Sequence, residues 1–299
     1  MLKVLTVSGL LAACLMAPAG ASATVAATCV VPSASAFGDG LGEDADSPGP
    51  GVAAAVERDL QARVRANPAP RLFGAFTVPV VWNVFYDQEN PADGNIPDAA
   101  IQQTMNVVNS YFNQAGLSFR VANVVRRGAP HSVVHGAAID NAVERQLKQY
   151  RQGTVQTLNI YTVAHNYNND LAGWATFPWD YASNPQNDGI VYDYNYLPGG
   201  KHVGYNTGKI MAHEIGHWVG LLHTFQDGCH GGDFVDDTPA EATPAHGCPV
   251  GRDTCAAPGI DPIDNMMDYS SDNCRVRLTS GQYNRFAQVL YQYRGINLY

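Results

Sequence analysis

His213-Glu214-Ile215-Gly216-His217-Trp218-Val219-Gly220-Leu221-Leu222-His223 is the stretch that decides how this 299-residue chain is read. Its apolar residues recur at helical spacing from a cap at Asn206 or Thr207 to Gly220. His213 and His217 therefore lie one turn apart, and their rings project from one face, where one ion can touch both. Gly220 lets the chain leave the helix through a left-handed conformation, and His223 brings a third imidazole back from another direction. Three neutral nitrogens around zinc leave a fourth position open, which separates catalytic from structural sites. Glu214 follows the first ligand at a different azimuth, where it can take the proton of a zinc-activated water as that water attacks a carbonyl. A histidine pair buried on an amphipathic helix accounts for His213 and His217 but leaves Glu214 and His223 unexplained. The other histidines, His131, His135, His165, His202, His230 and His246, lack ligand spacing and read as surface or loop residues.

Working outward, residues 78–86 are a β-branched and aromatic run that reads as a first strand. Asn95-Ile96-Pro97-Asp98 supplies a turn and a helix start, and Ile101, Met105, Val108 and Phe112 keep helical spacing until Gly116. Residues 117–125 and 157–163 alternate as strands, and 173–177 and 189–194 are short apolar runs bounded by Gly, Pro and Asn. A mixed sheet with few helices follows. A last helix is expected from Ser280 or Gly281 to about residue 293. Residues 29–70 are rich in Ala, Gly, Pro and Ser, with a helical pattern only at 56–64, and read as a propeptide or linker.

The N-terminus has the form of an export signal: Lys3, a mostly apolar stretch to Pro18, and small residues at Ala21-Ser22-Ala23. Cys14 also sits in a lipoprotein-like context, the weaker option because the preceding stretch is short. No other segment approaches the roughly 20 apolar residues of a spanning helix. Expected bounds are 1–23 for the signal, 24–70 for the propeptide or linker and 71–299 for the catalytic domain, with a secreted, extracellular product. Eighteen Lys and Arg against 27 Asp and Glu give a net charge of −9, which argues against a nucleic-acid partner. Export favours paired cysteines. Cys229, Cys248, Cys255 and Cys274 lie in a loop-rich stretch and permit three pairings, among which spacing does not choose.

The motif at 213–223 resembles the elongated zinc signature of the metzincin metallopeptidases, and Asn265-Met266-Met267-Asp268-Tyr269 looks like their methionine turn. GDFVDDTPA, GCP, DTC and DPIDNMMDYSSDNC are similar to the pappalysin branch, with its secreted fungal and bacterial members, and the likeness extends back through GNIPD and GWATFP. It implies an α+β metzincin-type zincin: a twisted mixed sheet with an active-site helix and a disulfide-braced C-terminal subdomain. The implied activity is that of a zinc endopeptidase acting on proteins or peptides. The resemblance puts the zinc ligands at His213, His217 and His223, the base at Glu214 and the turn methionine at Met267.

It further implies that Tyr269 holds the oxyanion, and that Gly173, Trp174, Ala175 and Thr176 form the edge strand that pairs with substrate. Asp272 is expected to wall the pocket after the scissile bond and to favour Arg or Lys there. Calcium is expected on the Asp233 side chain and the Thr238 main-chain oxygen, in a loop that also carries Asp236 and Asp237. The implied disulfides are Cys229 to Cys255 and Cys248 to Cys274. Cys29 is a candidate latency switch on the zinc, although Ala27-Thr28-Cys29-Val30 lacks the Arg-x-Cys-Gly context often seen in the branch. The rival readings are a secreted binding module with a structural zinc, for which Glu214 would be dispensable, and a zinc hydrolase of small amides or lipids, which would need a closed apolar pocket.

Overall fold

The apolar run near residue 80 forms the longest buried strand of a mixed sheet. The computed structural model describes residues 43–44, 47–69, 74–164 and 171–298, within one compact unit, Asp39–Tyr299. The expected signal peptide at 1–23, Cys14, Cys29 and His165 lie outside the described residues.

Among the described residues the strands are β1 (Glu43–Asp44), β2 (Phe76–Asp87), β3 (Leu117–Ala129), β4 (Leu158–Val163), β5 (Leu171–Ala175) and β6 (Ile190–Asp193). The sheet order is β1-β5-β6-β4-β2-β3. β2 pairs in parallel with β3 and β4, β4 in parallel with β6, and β5 runs antiparallel to β6. The helices are α1 (Pro50–Ala66), α2 (Asp98–Phe112), α3 (His131–Val134), α4 (Ala142–Lys148), α5 (Lys209–Trp218) and α6 (Ser280–Val289).

Because side chains alternate along a strand, each strand feeds two layers. Val80, Trp82, Val84, Leu158, Ile160 and Tyr192 pack with α2, α5 and Phe286 of α6 in the main core. Phe85, Tyr161, Val163, Trp174 and Val191 face the other way, onto Val133 and Val134 of α3 and Leu147 of α4. Both faces are covered, so β4 and β6 are buried along their whole length. On α2, Ile101, Met105, Val108 and Phe112 are all buried, as their spacing predicts, and Gly116 reverses the chain at φ 75°.

Two element ends differ from the sequence reading, and the helical pattern at 56–64 is part of a longer helix. α5 starts at Lys209, after Gly208 in a left-handed conformation at φ 95°, because Thr207 turns its N–H and hydroxyl to Asp272 and so does not cap the helix. β5 ends at Ala175, and Thr176 lies beyond it. The segment expected as propeptide or linker contains α1, a 17-residue helix whose Ala53 and Leu60 are buried and whose Glu57 pairs with Arg285 at 2.7 Å. The α6 start is set by a capping box between Thr279 and Gln282. Both disulfides implied by the resemblance are present, Cys229–Cys255 and Cys248–Cys274. No helix among the described residues is long and apolar enough to cross a membrane.

Candidate metal centre

α5 delivers His213 and His217 from one face, and its C-terminus is shaped to deliver the third histidine. Gly220 sits at φ 100°, its N–H donates to the His217 carbonyl at 2.9 Å, and the Leu221 N–H donates to the Gly216 carbonyl at 2.8 Å. These two crossed bonds close the helix with glycine in the left-handed position. The chain then doubles back, and His223 meets the other two.

The three Nε2 atoms converge: His213 to His217 is 3.1 Å, His213 to His223 is 3.2 Å and His217 to His223 is 3.0 Å. All three residues are buried, with at most 1% exposure. Their outer nitrogens are fixed. His213 Nδ1 donates to the Met266 carbonyl at 2.7 Å, and His217 Nδ1 donates to the Leu221 carbonyl at 2.8 Å. Carbonyls only accept, so in both rings the proton is on Nδ1 and the Nε2 lone pair faces inward. His223 Nδ1 is 2.9 Å from the Ser47 hydroxyl. Lone pairs gathered this closely repel one another, and a cation between them removes that repulsion. Tetrahedral zinc with Zn–N bonds of about 2.0–2.1 Å needs donors about 3.3 Å apart, so the donor set fits zinc. The outer bonds are the orienting partners that such ligands require.

The methionine turn lies beneath this centre. Met266 and Met267 are fully buried, the Met267 N–H donates to Asn265 Oδ1, and the Met267 carbonyl accepts from Thr224 beside the third ligand. Asn265 and Gln282 exchange two amide bonds of 3.0 Å, which lock the turn to α6. The ring of Tyr269 packs 5.0 Å from His223 and 5.8 Å from His213 between centroids, so the expected oxyanion residue borders the centre. Phe225 stacks on His223 at 4.6 Å, and Phe177 meets His217 edge-on at 5.4 Å. Neither phenylalanine was singled out in the sequence, because both act through contacts made only in the fold.

Glu214 is fully buried on α5 and faces β5: its Oε1 is 3.3 Å from the place a Cβ on Gly173 would occupy. Burial pushes the Tyr192 hydroxyl well above its ordinary value, and the charges of Asp272 and Glu214 add to the shift. Tyr192 therefore lies within electrostatic reach of both carboxylates. Of the expected substrate strand, Gly173 and Ala175 pair with Tyr192 and Ile190 of β6. Trp174 points to the far side of the sheet, where its indole donates to Glu144 Oε1 at 2.7 Å, and Glu144 pairs with Lys148 at 2.7 Å in a buried environment. Thr176 donates its N–H to the Gly189 carbonyl. On the other edge of β5, Glu43 and Asp44 pair in parallel with Leu171 and Gly173.

Asp272, the expected pocket carboxylate, is buried and held by other groups. It is 2% exposed; its Oδ2 accepts from the Thr207 N–H and hydroxyl at 2.9 and 2.7 Å, and its Oδ1 from Arg275 Nη2 at 3.1 Å. A cation from its own chain already neutralises it. Asp233 is also buried. Its Oδ1 accepts from Thr238 Oγ1 at 2.6 Å, while its Oδ2 is buried without a hydrogen-bond partner, and burial pushes its carboxyl up to about 7. Asp237 Oδ2 instead accepts from the Gly281 N–H. The reading of His131 and His135 as residues without ligand spacing is corrected. They stand four apart on the turn of α3, and with Asp93 they place donor atoms within 4.8 Å of one another.

Comparison with known proteins agrees with this geometry. A profile of peptidase family M43, described as pregnancy-associated plasma protein-A, matches residues 141–291. An extracellular metalloprotease of Pyricularia oryzae is 38% identical over 223 residues, covering 74% of this chain and 77% of that protein. Extracellular metalloprotease 1 of Coccidioides posadasii is 37% identical, covering 73% and 78%. Mature mirolysin of Tannerella forsythia, solved with a cleaved peptide, aligns with a TM-score of 0.61 at 26% identity over 73% of this chain and 91% of that one. A promirolysin mutant of the same organism aligns at 0.66 and 26%, covering 80% and 86%.

Proposed function

The chain belongs to peptidase family M43, the pappalysin-like metzincins, and is a zinc metalloendopeptidase; on that premise we propose that Glu214 is its general base, that substrate lies extended along β5, and that the protein is secreted in a latent form. The observation that carries the metal chemistry is the convergence of three buried Nε2 atoms whose outer nitrogens are already committed.

When bound by His213, His217 and His223, zinc supplies a Lewis acid that polarises the scissile carbonyl and lowers the pKa of water. Glu214 receives the proton of the attacking water on its carboxylate and later delivers it to the leaving amine. Burial of Glu214 and the ligands excludes bulk solvent and strengthens each of these electrostatic interactions. Tyr269, packed on His213 and His223, is the residue proposed to hold the oxyanion through its hydroxyl. Gly173 lets the substrate strand approach Glu214, and the main-chain groups of β5 hold the peptide by strand addition.

The pairing of Glu43 and Asp44 with β5 supports latency, because chain on that edge excludes substrate from it. The Ser47 contact to His223 supports the same reading. Removing the residues before Ser47 should raise kcat/KM on an unstructured protein. Secretion is supported by the export-like N-terminus and by the extracellular relatives. Calcium at Asp233 and the Thr238 carbonyl is supported by the buried Oδ2 without a partner, which a hard cation would satisfy. A preference for Arg or Lys after the scissile bond is proposed through Asp272, with the buried Arg275 beside it tempering the charge of the carboxylate.

The test is hydrolysis of an unstructured protein by the processed enzyme beside Glu214→Ala, with zinc measured in both. Cleavage lost with zinc retained is the expected result; cleavage unchanged would remove Glu214 as base.

A further inference from the structure

α3 follows β3 directly and packs Val133 and Val134 into the core on the face of the sheet opposite α5. Its first residue, His131, and the residue after its last, His135, stand one turn apart with rings stacked at 4.0 Å. The last residue of β2, Asp87, and the loop after it, with Asp93, bring two carboxylates to them. His131 Nδ1 is 2.8 Å from Asp87 Oδ2, and His135 Nε2 is 2.8 Å from Asp93 Oδ2. We propose that Asp93, His131 and His135, with Asp87 as a fourth donor, bind a second divalent transition-metal ion, distinct from the one held by His213, His217 and His223.

The donor chemistry, two imidazoles and two carboxylates, suits zinc or a neighbouring transition metal and is too rich in nitrogen for calcium or magnesium. The carboxylates are held by their own partners. Asp87 Oδ1 accepts from the Glu89 N–H at 2.8 Å, which leaves Oδ2 for His131. Asp93 Oδ1 accepts from the Tyr194 hydroxyl at 2.5 Å, which leaves Oδ2 for His135. Such outer bonds are what orient metal-ligating carboxylates. The Asp87 carboxyl is held below its ordinary range by the Glu89 N–H and then by His131, so it is charged at neutral pH. Burial opposes ionisation of Asp93, yet the Tyr194 hydroxyl and His135 hold its carboxyl below the ordinary range as well.

Without a cation, one buried ring nitrogen of this pair stays without a hydrogen-bond partner. In the neutral form, His135 has a buried Nδ1 with no hydrogen-bond partner. A proton on Nδ1 then leaves the Nε2 lone pair against the Asp93 carboxylate, and a proton on Nε2 leaves the Nδ1 lone pair buried and bare. A cation between Nε2 and Oδ2 removes the first conflict. The donors of Asp93, His131 and His135 lie within 4.8 Å of one another, and the His131 side chain, 64% exposed, is free to close the remaining distance. Beside them a cavity of about 450 Å³, which Lys201 also lines, leads to solvent as an entry path. The ion would clamp the β2–α2 loop to the start of α3.

The test is zinc uptake by the full chain, measured as bound zinc per chain after equilibration with free zinc. Two equivalents are expected for the parent, one for His131→Ala or His135→Ala, and a second equivalent weakened at least about tenfold for Asp93→Asn. His223→Ala should lose the other equivalent and keep this one. Melting of the metal-free proteins checks folding, and the exposed His131 keeps the test decisive if His135→Ala is unstable. Zinc should raise the melting temperature of His223→Ala but not of His223→Ala combined with His131→Ala. A single equivalent in the parent, lost in His223→Ala, would overturn the second site while leaving the catalytic one intact. Two equivalents retained in His131→Ala and His135→Ala would also overturn it.

Discussion

The sulfur of Met267 stands where a Cβ on Gly216 would have to go. Gly216 is the residue between Glu214 and His217 in register with the methionine turn, so the helix that carries the ligands and the turn beneath them are fitted by the absence of one methyl group. The same turn holds His213 through the Met266 carbonyl. Gly216→Ala is therefore expected to lose about 1–3 kcal/mol of stability by overpacking and to weaken zinc retention, because the turn must move away from His213. Combining it with Met267→Ala makes room for the methyl. The two costs should then add to less than their sum, and a thermal-melting double-mutant cycle measures the difference. Strict additivity would show that the two residues do not oppose each other.

How much of this was legible in the sequence depends on the distance over which each relationship is made. The triad was legible because His213 and His217 are one helical turn apart and Gly220 is the only residue type that takes the closing turn without strain. The core face of α2 was legible from its period. Ser47 on His223 was not, since the two are 176 residues apart and nothing local marks the serine. The partners of Asp272 were hidden for a related reason. Its position suggested a pocket carboxylate, but its charge is set by Arg275 three residues on and by Thr207 in another element. His131 and His135 do have i, i+4 spacing, yet a helix as short as α3 leaves too little apolar period to announce itself, so the spacing carried no signal.

Arg275 is the residue expected to decide selectivity after the scissile bond. It is fully buried and pairs with Asp272, whose charge reaches Tyr192 together with that of Glu214. Substituting Arg275→Met keeps much of the volume and leaves the carboxylate without its cation. The ratio of kcat/KM for peptides with Arg against Leu after the scissile bond should then rise by about tenfold or more, the worth of a charge-assisted hydrogen bond. A ratio is insensitive to the fraction of enzyme that is folded, so lost stability does not mimic the effect. An unchanged ratio would place Asp272 out of reach of the substrate side chain.

Calcium removal should be felt through Asp233. Its buried Oδ2 has no hydrogen-bond partner, and it lies in the loop closed by the Cys229–Cys255 disulfide. With zinc kept saturating, addition of calcium to calcium-free protein is expected to raise the melting temperature, and Asp233→Asn should abolish most of that gain. The variant itself, without calcium, should melt no lower than the parent, because an amide avoids the cost of burying an unpaired charge. A calcium response equal in both proteins would remove Asp233 from the site.

Gly173 separates the role of the β5 backbone from that of its side chains. A Cβ there would come 2.8 Å from the Val191 carbonyl oxygen, 3.1 Å from the Tyr192 ring and 3.3 Å from Glu214 Oε1. The carbonyl belongs to the paired strand and cannot retreat without breaking the sheet, so the strain falls on β5 and on the Glu214 carboxylate. Gly173→Ala should therefore lower kcat on an unstructured protein while zinc content stays at the parent value. Trp174→Phe is the matched control one residue on. Its indole bonds to Glu144 on the opposite face, so its loss should leave a buried carboxylate one partner short and lower the melting temperature. The folded fraction of that variant should keep the parent kcat. If Gly173→Ala melted lower but turned over normally, close approach at Gly173 would serve the sheet alone, and the positioning of Glu214 against β5 would have no part in the chemistry.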